Sequence, residues 1–320
     1  MATPAYDDYK YRNLGRLQMA RTVPHPIPYQ GSKRNLAEDI CGLFPQQVET
    51  LFEPFAGSAA ITLYAARYGL ARRFVIGDSL PELIELWRAI IEKPDQTASR
   101  YEAIWRGQID SGADYFNQVR ERFNTDRDPV ELLYLIARCV KNAVRFNKHG
   151  RFTQSVDKRR LGTQPAKMYE AIQAASYLLK GKTDLYCGDF TDTISVAGQH
   201  DLVYMDPPYH GTTYGRDKRY FAQLEREALV NGLANLNDRN VSFILSYDGM
   251  TGDVVYGEPL PDHLAMRRLL IEAGRSSQAT LNGHNAVTVE SLYISQNITS
   301  AMSTNWRQRS DKIEILCAAA

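Results

Sequence analysis

Asp206, Pro207, Pro208 and Tyr209 follow the apolar run "LVYM", and together they have the chemistry to hold an amine. Such a run is typical of a buried strand, and ligands of open α/β sheets bind beyond the carboxyl ends of the strands. An exocyclic amine on a purine or pyrimidine is a poor nucleophile because its lone pair is delocalised into the ring. Two acceptors directed at its two N–H groups would free that lone pair. The Asp206 carboxylate and the Pro207 carbonyl can supply them.

The rest of this segment suits the same chemistry. The two prolines keep the backbone rigid and remove competing N–H donors, and Tyr209 offers a flat face on which a base can stack. A fixed Asp206 carboxylate would stabilise positive charge on the attacked amine, and the reaction requires neither a metal nor a covalent intermediate. The alternative is a strand-terminating turn, since proline cannot continue a central strand. That alternative explains the prolines but neither the acid nor the aromatic residue.

The segment "LFEPFAGSAAITLY" (51–64) is a second candidate, with a strand, a glycine-bearing turn and a helix. Gly57 lets the backbone approach a ligand, but the full GxGxxG pattern of a dinucleotide site is missing. Asp78 ends the next predicted strand, where an acid can accept hydrogen bonds from two ribose hydroxyls. This arrangement suits a nucleoside-containing cofactor without a pyrophosphate, such as S-adenosylmethionine. A helix-start glycine and a strand-end cap explain the same two residues equally well.

The elements around these segments alternate between strands and helices. Short apolar runs predict buried strands at 49–55, 72–78, 183–187, 200–206 and 241–247. Apolar residues three and four apart predict helices at 32–44, 58–69 and 80–92, with Ser32, Ser58 and Ser79 as caps or near-caps and Pro81 in a first turn. This alternation indicates βαβ units in a mostly parallel sheet with helices on both faces.

The alternation stops between about residues 93 and 182, where the sequence is helical and polar. We interpret residues 96–182 as an inserted helical lobe within a catalytic domain formed by residues 1–95 and 183–320. The alternative is a long helical crossover that packs on the same core. The predicted fold class is α/β, a Rossmann-like sheet with a helical insert; the family resemblance described below implies that the sheet is that of a methyltransferase and that the insert serves target recognition.

A basic segment lies near the end of this insert, in a chain whose net charge is only +1. Between 138 and 160 a single acid, Asp157, accompanies Arg138, Lys141, Arg145, Lys148, Arg151, Lys158, Arg159 and Arg160. The spacing of the first three predicts one charged helix face, followed by a turn at Gly150. Such residues can neutralise phosphates and read base edges, although a solvated helix face is the usual explanation of such a run. A polar, aromatic loop at 210–220 could close over an extruded base.

Composition excludes several classes of protein. The four cysteines form no CxxC pair, so we expect reduced core thiols and neither a zinc site nor a disulfide framework. No cysteine follows a proline, which argues against the covalent chemistry of a cytosine-C5 enzyme. The sequence shows no signal-peptide pattern and no apolar stretch of membrane-spanning length. We therefore expect a cytoplasmic protein with no membrane association.

These motifs together resemble the Dam-like, D12-class DNA adenine-N6 methyltransferases. The resemblance rests on "DPPY", on "EPFAGSAA" and on "PYQGSKRNLAEDICGLFP" (28–45), in that family's order. The segments "YLIARCVKNAVRFNKHGRF" (134–152) and "TVESLYIS" (288–295) are similar to the family's Asn- and Arg-rich insert and to its last hairpin strand. The resemblance covers roughly residues 26 to 296, and it implies double-stranded DNA as substrate and S-adenosylmethionine as methyl donor.

The resemblance also implies roles for individual residues. Tyr29 and Lys33 would contact the methionine end or the adenine of the cofactor, and Asp78 would hold its ribose. The family usually has glycine where this chain has Ala59, and often tryptophan in place of Tyr29. The full set of implied cofactor-binding residues is Tyr29, Lys33, Glu53, Phe55, Gly57, Asp78, Asp189 and Phe190. The DNA-binding candidates are Arg145, Lys148, Arg151, Lys158 and Arg159.

The leading hypothesis is therefore methylation of adenine N6 in duplex DNA after base flipping, in a restriction-modification system with a cognate endonuclease or as a free-standing mark. Methylation of cytosine N4 is the nearest rival, because it also needs an amine and two acceptors. RNA, protein and small-molecule amines are further possible substrates, and the helical insert with its basic segment argues for a large polyanionic one. An inactive DNA-binding subunit of the same fold is the alternative from another class.

Overall fold

The computed structural model describes residues 22–109, 111–208, 226–251, 254–256, 259–275, 287–301 and 313–315. Nine strands of this part form one mixed sheet, in the order β3-β2-β1-β4-β5-β8-β7-β9 with β6 paired to β5. The strands are β1 (Thr50–Glu53), β2 (Arg73–Asp78), β3 (Thr183–Cys187), β4 (Leu202–Met205), β5 (Ser242–Thr251), β6 (Val254–Tyr256), β7 (Arg267–Arg275), β8 (Val287–Ile294) and β9 (Ile313–Ile315). The α/β sheet expected of a Rossmann-like methyltransferase is confirmed.

Strands β1 to β5 run parallel, whereas β6 to β9 pair antiparallel with their neighbours. Strands β2 and β3 lie on one side of β1, and β4 and β5 lie on the other. The chain therefore reverses its direction across the sheet between β1 and β4. Crevices for ligands form at such a switch point, outside the carboxyl ends of the strands.

The helices are α1 (Ala37–Cys41), α2 (Ala60–Tyr68), α3 (Pro81–Glu92), α4 (Pro94–Arg106), α5 (Gly112–Asp126), α6 (Pro129–Arg138), α7 (Pro165–Leu179), α8 (Phe190–Ser195), α9 (Arg226–Asp238) and α10 (Gln296–Ala301). Short 3₁₀ turns lie at Lys33–Asn35, Val140–Asn142 and Asp262–Leu264. None of the helices in the described ranges is long and apolar enough to cross a membrane.

Three details of the predicted elements differ in the structure. The predicted helix at 32–44 is a 3₁₀ turn and the short helix α1. Ser32 stands directly before the 3₁₀ turn, and Ser58 and Ser79 precede the N-cap residues Ala59 and Leu80, but none of these three starts has a side-chain capping bond. Pro81 does occupy the first turn of α3, as predicted. Strand β3 is mostly exposed because it forms the edge of the sheet.

The helices of the segment 96–182 pack on the helices of the sheet. Helix α7 contacts α2, α3 and α4, and α6 contacts α3 and α4. Trp87 of α3, Tyr101 of α4 and Leu132 of α6 belong to one hydrophobic cluster with Leu51 of β1. These helices therefore share a hydrophobic core with the helices of the sheet. The division of the chain at residues 96–182 and the recognition role of that segment remain predictions.

The cysteines differ in environment. Cys41 and Cys139 are buried free thiols, as expected of core residues. Cys187 is a free thiol but exposed, because it lies in the edge strand β3. Cys317 lies outside the described residues.

Candidate active site at the carboxyl ends of the strands

Asp206 follows the last residue of β4 and forms an ion pair with a buried lysine. The Nζ atom of Lys33 lies 2.9 Å from Oδ1 of Asp206 and 3.3 Å from Oε2 of Glu290. Lys33 is only 8% exposed. Burying an ammonium group is costly unless it is paired, and here two carboxylates compensate its charge. The N-terminal 3₁₀ turn, β4 and β8 therefore meet at one charged cluster.

A buried hydrogen bond joins β4 to β5 two residues before Asp206. The hydroxyl of Tyr204 lies 2.8 Å from Oγ of Ser246, joining β4 to the adjacent β5. Burial raises the pKa of Tyr204 well above its ordinary value, and the charge of Asp206 raises it further. Tyr204 thus stays neutral and acts as a fixed hydrogen-bonding group two residues before Asp206.

Only part of the predicted DPPY segment can be placed. Asp206, Pro207 and Pro208 are described, and Pro207 is buried. Tyr209 and the loop at 210–220 lie outside the described residues. The stacking role of Tyr209 and the closing role of the loop therefore remain predictions.

Asp78 ends β2 and is fixed by the backbone. Its Oδ2 accepts a hydrogen bond from the N–H of Gly57 (3.1 Å), and its Oδ1 accepts one from the N–H of Leu80 (3.0 Å). Burial raises the pKa of Asp78 to about 6, against the lowering effect of the backbone groups of Leu80, Gly57 and Ser79. Each carboxylate oxygen keeps a further lone pair, so acceptor capacity for two hydroxyl groups remains.

The glycine turn after β1 is held on several sides. Gly57 has a left-handed φ of +50°, and a Cβ atom there would lie 3.3 Å from the ring of Tyr29, so both conformation and space favour glycine. The indole Nε1 of Trp87 donates to the carbonyl of Gly57 (3.0 Å). Oγ of Ser58 donates to Oγ of Ser32 (2.7 Å), which ties the turn to the N-terminal segment. The turn is therefore preorganised.

Ala59 stands where the family usually has glycine, and its backbone conformation shows what this difference costs. It precedes α2 with φ 46° and ψ 43°, a left-handed conformation that glycine adopts at little cost. An alanine in this region costs about 1 kcal/mol. Alanine thus keeps the geometry of the turn at a small expense in stability.

Glu53 ends β1, the strand between β2, which ends at Asp78, and β4, which Asp206 follows. It is 3% exposed, and its Oε2 accepts a hydrogen bond from the N–H of Thr62 (2.9 Å) at the start of α2. Burial raises its pKa to about 7, and the charge of Asp206 contributes in the same direction. Glu53 is therefore poised to gain or lose a proton near neutral pH.

The other predicted cofactor residues divide into an aromatic pair and a helix cap. The rings of Phe55 and Phe190 stack with centroids 5.2 Å apart. Oδ1 of Asp189 accepts hydrogen bonds from the N–H and the hydroxyl of Thr191, at 2.9 and 2.6 Å, so Asp189 caps α8. A contact of these residues with a cofactor remains a prediction.

The predicted charged helix face does not exist. Helix α6 ends at Arg138, which is 4% exposed, and Nε of Arg138 donates to Oε1 of Gln108 (2.7 Å). Arg138 also donates to the carbonyl of Asp157, so it anchors the basic segment from inside. Lys141 lies in a 3₁₀ turn with φ 61°, and Arg145 lies beyond it. The helical spacing fails because the helix ends where the pattern begins.

The basic segment instead forms a tight turn and an exposed strip. An isolated β-bridge joins Phe146 to Phe152, and Oδ1 of Asn147 accepts from the N–H groups of His149 and Arg151 (2.9 and 3.1 Å). Gly150 has φ +68°, as its predicted turn requires. Of the DNA-binding candidates, Arg145 is partly buried, and the exposed ones are Lys148, Arg151, Lys158 and Arg159. Arg151 also forms an ion pair with Glu121.

Sequence reasoning missed Glu290 and gave Lys33 different neighbours. We predicted Lys33 as a cofactor contact, and the structure adds its ion pairs with Asp206 and Glu290. A signal for Glu290 existed, because it is the acid within the otherwise uncharged strand segment "TVESLYIS". Its partner was not readable from local spacing, since the two residues lie on different ends of the chain.

Comparison with known proteins agrees with this geometry. The model of the D12 class N6 adenine-specific DNA methyltransferases matches residues 29–274, well over half of the chain. Type II methyltransferase M.FokI of Planomicrobium okeanokoites is 24% identical over 260 residues, which are 76% of this chain and 39% of that protein. Modification methylase StsI of Streptococcus sanguinis is 25% identical over 236 residues, 70% of this chain and 35% of that protein.

A shorter relative gives the same result. The DNA adenine methylase of Haemophilus influenzae is 24% identical over 188 residues, 57% of this chain and 63% of that protein. The chain therefore covers less than two thirds of the length of each of these relatives. The chain belongs to the D12 class N6 adenine-specific DNA methyltransferase family, because that family's model matches most of it. The matched range includes the glycine turn, Asp78 and Asp206, which lie at the ends of strands of one sheet.

Proposed function

We propose that the protein transfers a methyl group from S-adenosylmethionine to the N6 amine of adenine in duplex DNA. The observation that carries this proposal is the placement of Asp206 directly after β4, next to the glycine turn of β1 and within the switch-point crevice of the sheet. Family membership supports adenine as the base.

The residues at the ends of β1 and β2 fit the methyl donor. S-adenosylmethionine supplies an electrophilic methyl group on a sulfonium centre and carries a ribose with two free hydroxyls. Asp78 keeps acceptor capacity for these hydroxyls, and its two backbone hydrogen bonds hold the carboxylate in place. Tyr29, Glu53, Phe55 and Gly57 would line the pocket, with Asp189 and Phe190 at the adenine and Lys33 toward the methionine end.

Asp206 and Pro207 would hold the target amine. The carboxylate and the carbonyl each accept one N–H, which draws the nitrogen toward tetrahedral geometry and exposes its lone pair. Positive charge on the nitrogen then develops beside fixed acceptors, which require no reorganisation. As the nitrogen takes the methyl group, the bond from that group to the sulfonium sulfur would break, and Asp206 would accept the proton that the methylated amine loses. Pro208 would keep this backbone rigid, and Tyr209 would stack on the base.

The basic turn and strip would hold the DNA. Lys148, Arg151, Lys158 and Arg159 are exposed and can neutralise phosphates, and Arg145 lies close to the same turn. The base must leave the duplex before its amine reaches Asp206, because that amine is not accessible inside the stack.

We further propose a cytoplasmic enzyme with a role in restriction and modification. The names of two relatives, a type II methyltransferase and a modification methylase, support a cognate restriction endonuclease as partner. The name of a third, DNA adenine methylase, fits a free-standing mark equally well.

The test is to incubate the purified full chain with radiolabelled S-adenosylmethionine and duplex DNA, and to identify the labelled nucleoside after digestion. We expect N6-methyladenine. Label in N4-methylcytosine would establish the rival reaction. Binding of cofactor and DNA without transfer would indicate an inactive DNA-binding subunit.

A further inference from the structure

Lys33 does not pair with Asp206 alone, since its ammonium also lies 3.3 Å from Oε2 of Glu290. We propose that Glu290 is a positioning residue for methyl transfer: it shares the charge of Lys33, and thereby keeps Asp206 oriented and a strong acceptor for the target amine. This inference rests on the proposed function and assigns it one more residue. Glu290 lies beyond residues 29–274, which the family model matches.

The sheet brings Glu290 to the catalytic end through a bulge. Strands β4 and β8 flank β5, and the pairing of β5 with β8 shifts in register between Ser246 and Gly249. Glu290 pairs with Gly249, immediately after this bulge. A Cβ atom on Gly249 would lie 2.6 Å from the carbonyl oxygen of Val289, so the close approach of β8 requires glycine there. A bulge re-aims the side chains of its neighbours.

The bulge is clamped by a second group of side chains. Oδ2 of Asp248 accepts from the hydroxyl of Tyr293 (2.7 Å), and its Oδ1 accepts from Arg268 (2.9 Å). Arg268 also donates to Oγ of Ser291 (3.1 Å), the residue next to Glu290. Strands β5, β7 and β8 are therefore fixed to each other where Glu290 projects, so its position is built into the fold.

Charge balance explains why a second carboxylate is useful. A lysine paired with Asp206 alone would neutralise the group that must accept hydrogen bonds from the amine. Oε2 of Glu290 is buried and accepts no hydrogen bond from the described residues, so its ion pair with Lys33 compensates it. An ammonium has three donors and can be divided between acceptors. Sharing leaves the cluster of Asp206, Lys33 and Glu290 with net negative charge toward the amine.

Removal of the charge on Glu290 should change the pKa of Asp206 in a predictable direction. Among the described residues, Lys33 pairs with Asp206, and the buried Glu53 on β1 and Tyr204 on its own strand interact with it electrostatically. Glu290 acts on this group through its ion pair with Lys33. With Glu290 neutral, Lys33 pairs more fully with Asp206, and one negative charge is removed nearby. Both effects favour the ionised form of Asp206, so its pKa falls and it becomes a weaker acceptor.

The test uses Glu290→Gln in the full chain, with Glu272→Gln as a matched control on the same hairpin, where Glu272 is exposed. We expect Glu290→Gln to lower kcat by about tenfold, with the KM for S-adenosylmethionine changed by less than about threefold. The acid limb of the pH profile of kcat should move to lower pH. Glu290→Asp, which keeps the charge, should retain the wild-type acid limb, and Glu272→Gln should match wild type in every respect.

A second readout does not depend on activity. In protein labelled with ¹³C at aspartate carboxyls, the Asp206 resonance is assigned by its loss in Asp206→Asn and titrated in wild type and in Glu290→Gln. We expect a lower midpoint in Glu290→Gln. An unchanged midpoint, or a lower kcat with an unmoved acid limb and a lower Tm, would overturn the proposal. If the wild-type protein transfers no methyl group while the midpoint of Asp206 is still lower in Glu290→Gln, the proposed function alone is overturned. The sharing of Lys33 between Asp206 and Glu290 then stands.

Discussion

The two ends of the crevice hold their acids in different ways. At the proposed cofactor end, Asp78 is 7% exposed and bound by the backbone N–H groups of Gly57 and Leu80. At the proposed reaction end, Asp206 is 21% exposed and forms an ion pair with the side chain of Lys33. Backbone hydrogen bonds change only if the backbone moves, whereas a lysine side chain can pair with a second carboxylate or adopt another rotamer. The comparison suggests a rigid site for the donor and an adjustable one for the reacting amine.

Loss of the carboxylate at the reaction end should have the largest effect. We expect Asp206→Ala to lower kcat by about 10³-fold, because a preorganised group aimed at developing charge contributes on this scale. The dissociation constant for S-adenosylmethionine, measured by calorimetry, should change by less than about threefold if the two ends are independent. Asp238→Ala, on an exposed residue of α9, is the control. Substantial turnover in Asp206→Ala would remove this residue from the centre of the mechanism.

Loss of the carboxylate at the cofactor end should act on binding instead. We expect Asp78→Asn to weaken binding of S-adenosylmethionine by roughly 10- to 100-fold, since hydrogen bonds to a charged group contribute about 1.5–3 kcal/mol. At saturating cofactor, kcat should stay within about threefold of wild type. Asp184→Asn, on the exposed neighbouring strand, should change neither quantity. A fall in kcat with unchanged binding would show that the two ends do not divide the work in this way.

Glu53 links the two ends and should make stability depend on pH. Its pKa is raised by burial from 4.5 to about 7, so the folded protein holds the proton more tightly than the unfolded chain. The resulting stability is fully present below pH 4.5 and is lost as the pH rises through about 7. We expect Glu53→Gln to reduce the fall in the free energy of unfolding between pH 4.5 and about 7 by on the order of 2 kcal/mol. Urea titration at several pH values measures this fall.

The control for this measurement is Glu272→Gln, because Glu272 is an exposed glutamate. It should leave the wild-type dependence on pH unchanged. A Glu53→Gln protein whose stability still falls over the same range would mean that another group carries the dependence.

Changes in the basic turn should have the smallest effect and leave both ends of the crevice unaltered. We expect Lys148→Ala or Arg151→Ala to weaken DNA binding and to reduce the slope of log K against log salt by about one for each phosphate that is no longer neutralised. Lys167→Ala, on the exposed surface of α7, is the matched control. Equal salt slopes in all three variants would make the turn an ordinary solvated surface.

The central strands and their acids could be predicted because local sequence determines them. The apolar runs before Asp78 and Asp206 correspond to β2 and β4, and parallel strands place their carboxyl ends at one edge. The same reasoning failed for the basic segment. Helix α6 ends because Cys139 is extended, with φ −78° and ψ 165°, and the buried bonds of Arg138 depend on Gln108 in a distant turn.

Glu290 could not be predicted for a related reason. Its ion pair with Lys33 joins the two ends of the described chain and depends on a bulge in β5. A bulge changes which residues face each other without leaving a pattern that period-two reasoning detects. Local patterns therefore predict the strands, whereas long-range pairing decides which side chains reach the reaction centre.

Mapping of modified bases in a methylation-deficient bacterial host tests the central claim most directly. Strains expressing the wild-type chain or Asp206→Ala would be compared by sequencing that detects N6-methyladenine along the genomic DNA. We predict methylated adenines in one short sequence context in the wild-type strain and none in the Asp206→Ala strain. An unmodified genome in the wild-type strain, or equal methylation in both strains, would contradict a reaction centred on the carboxylate at the end of β4.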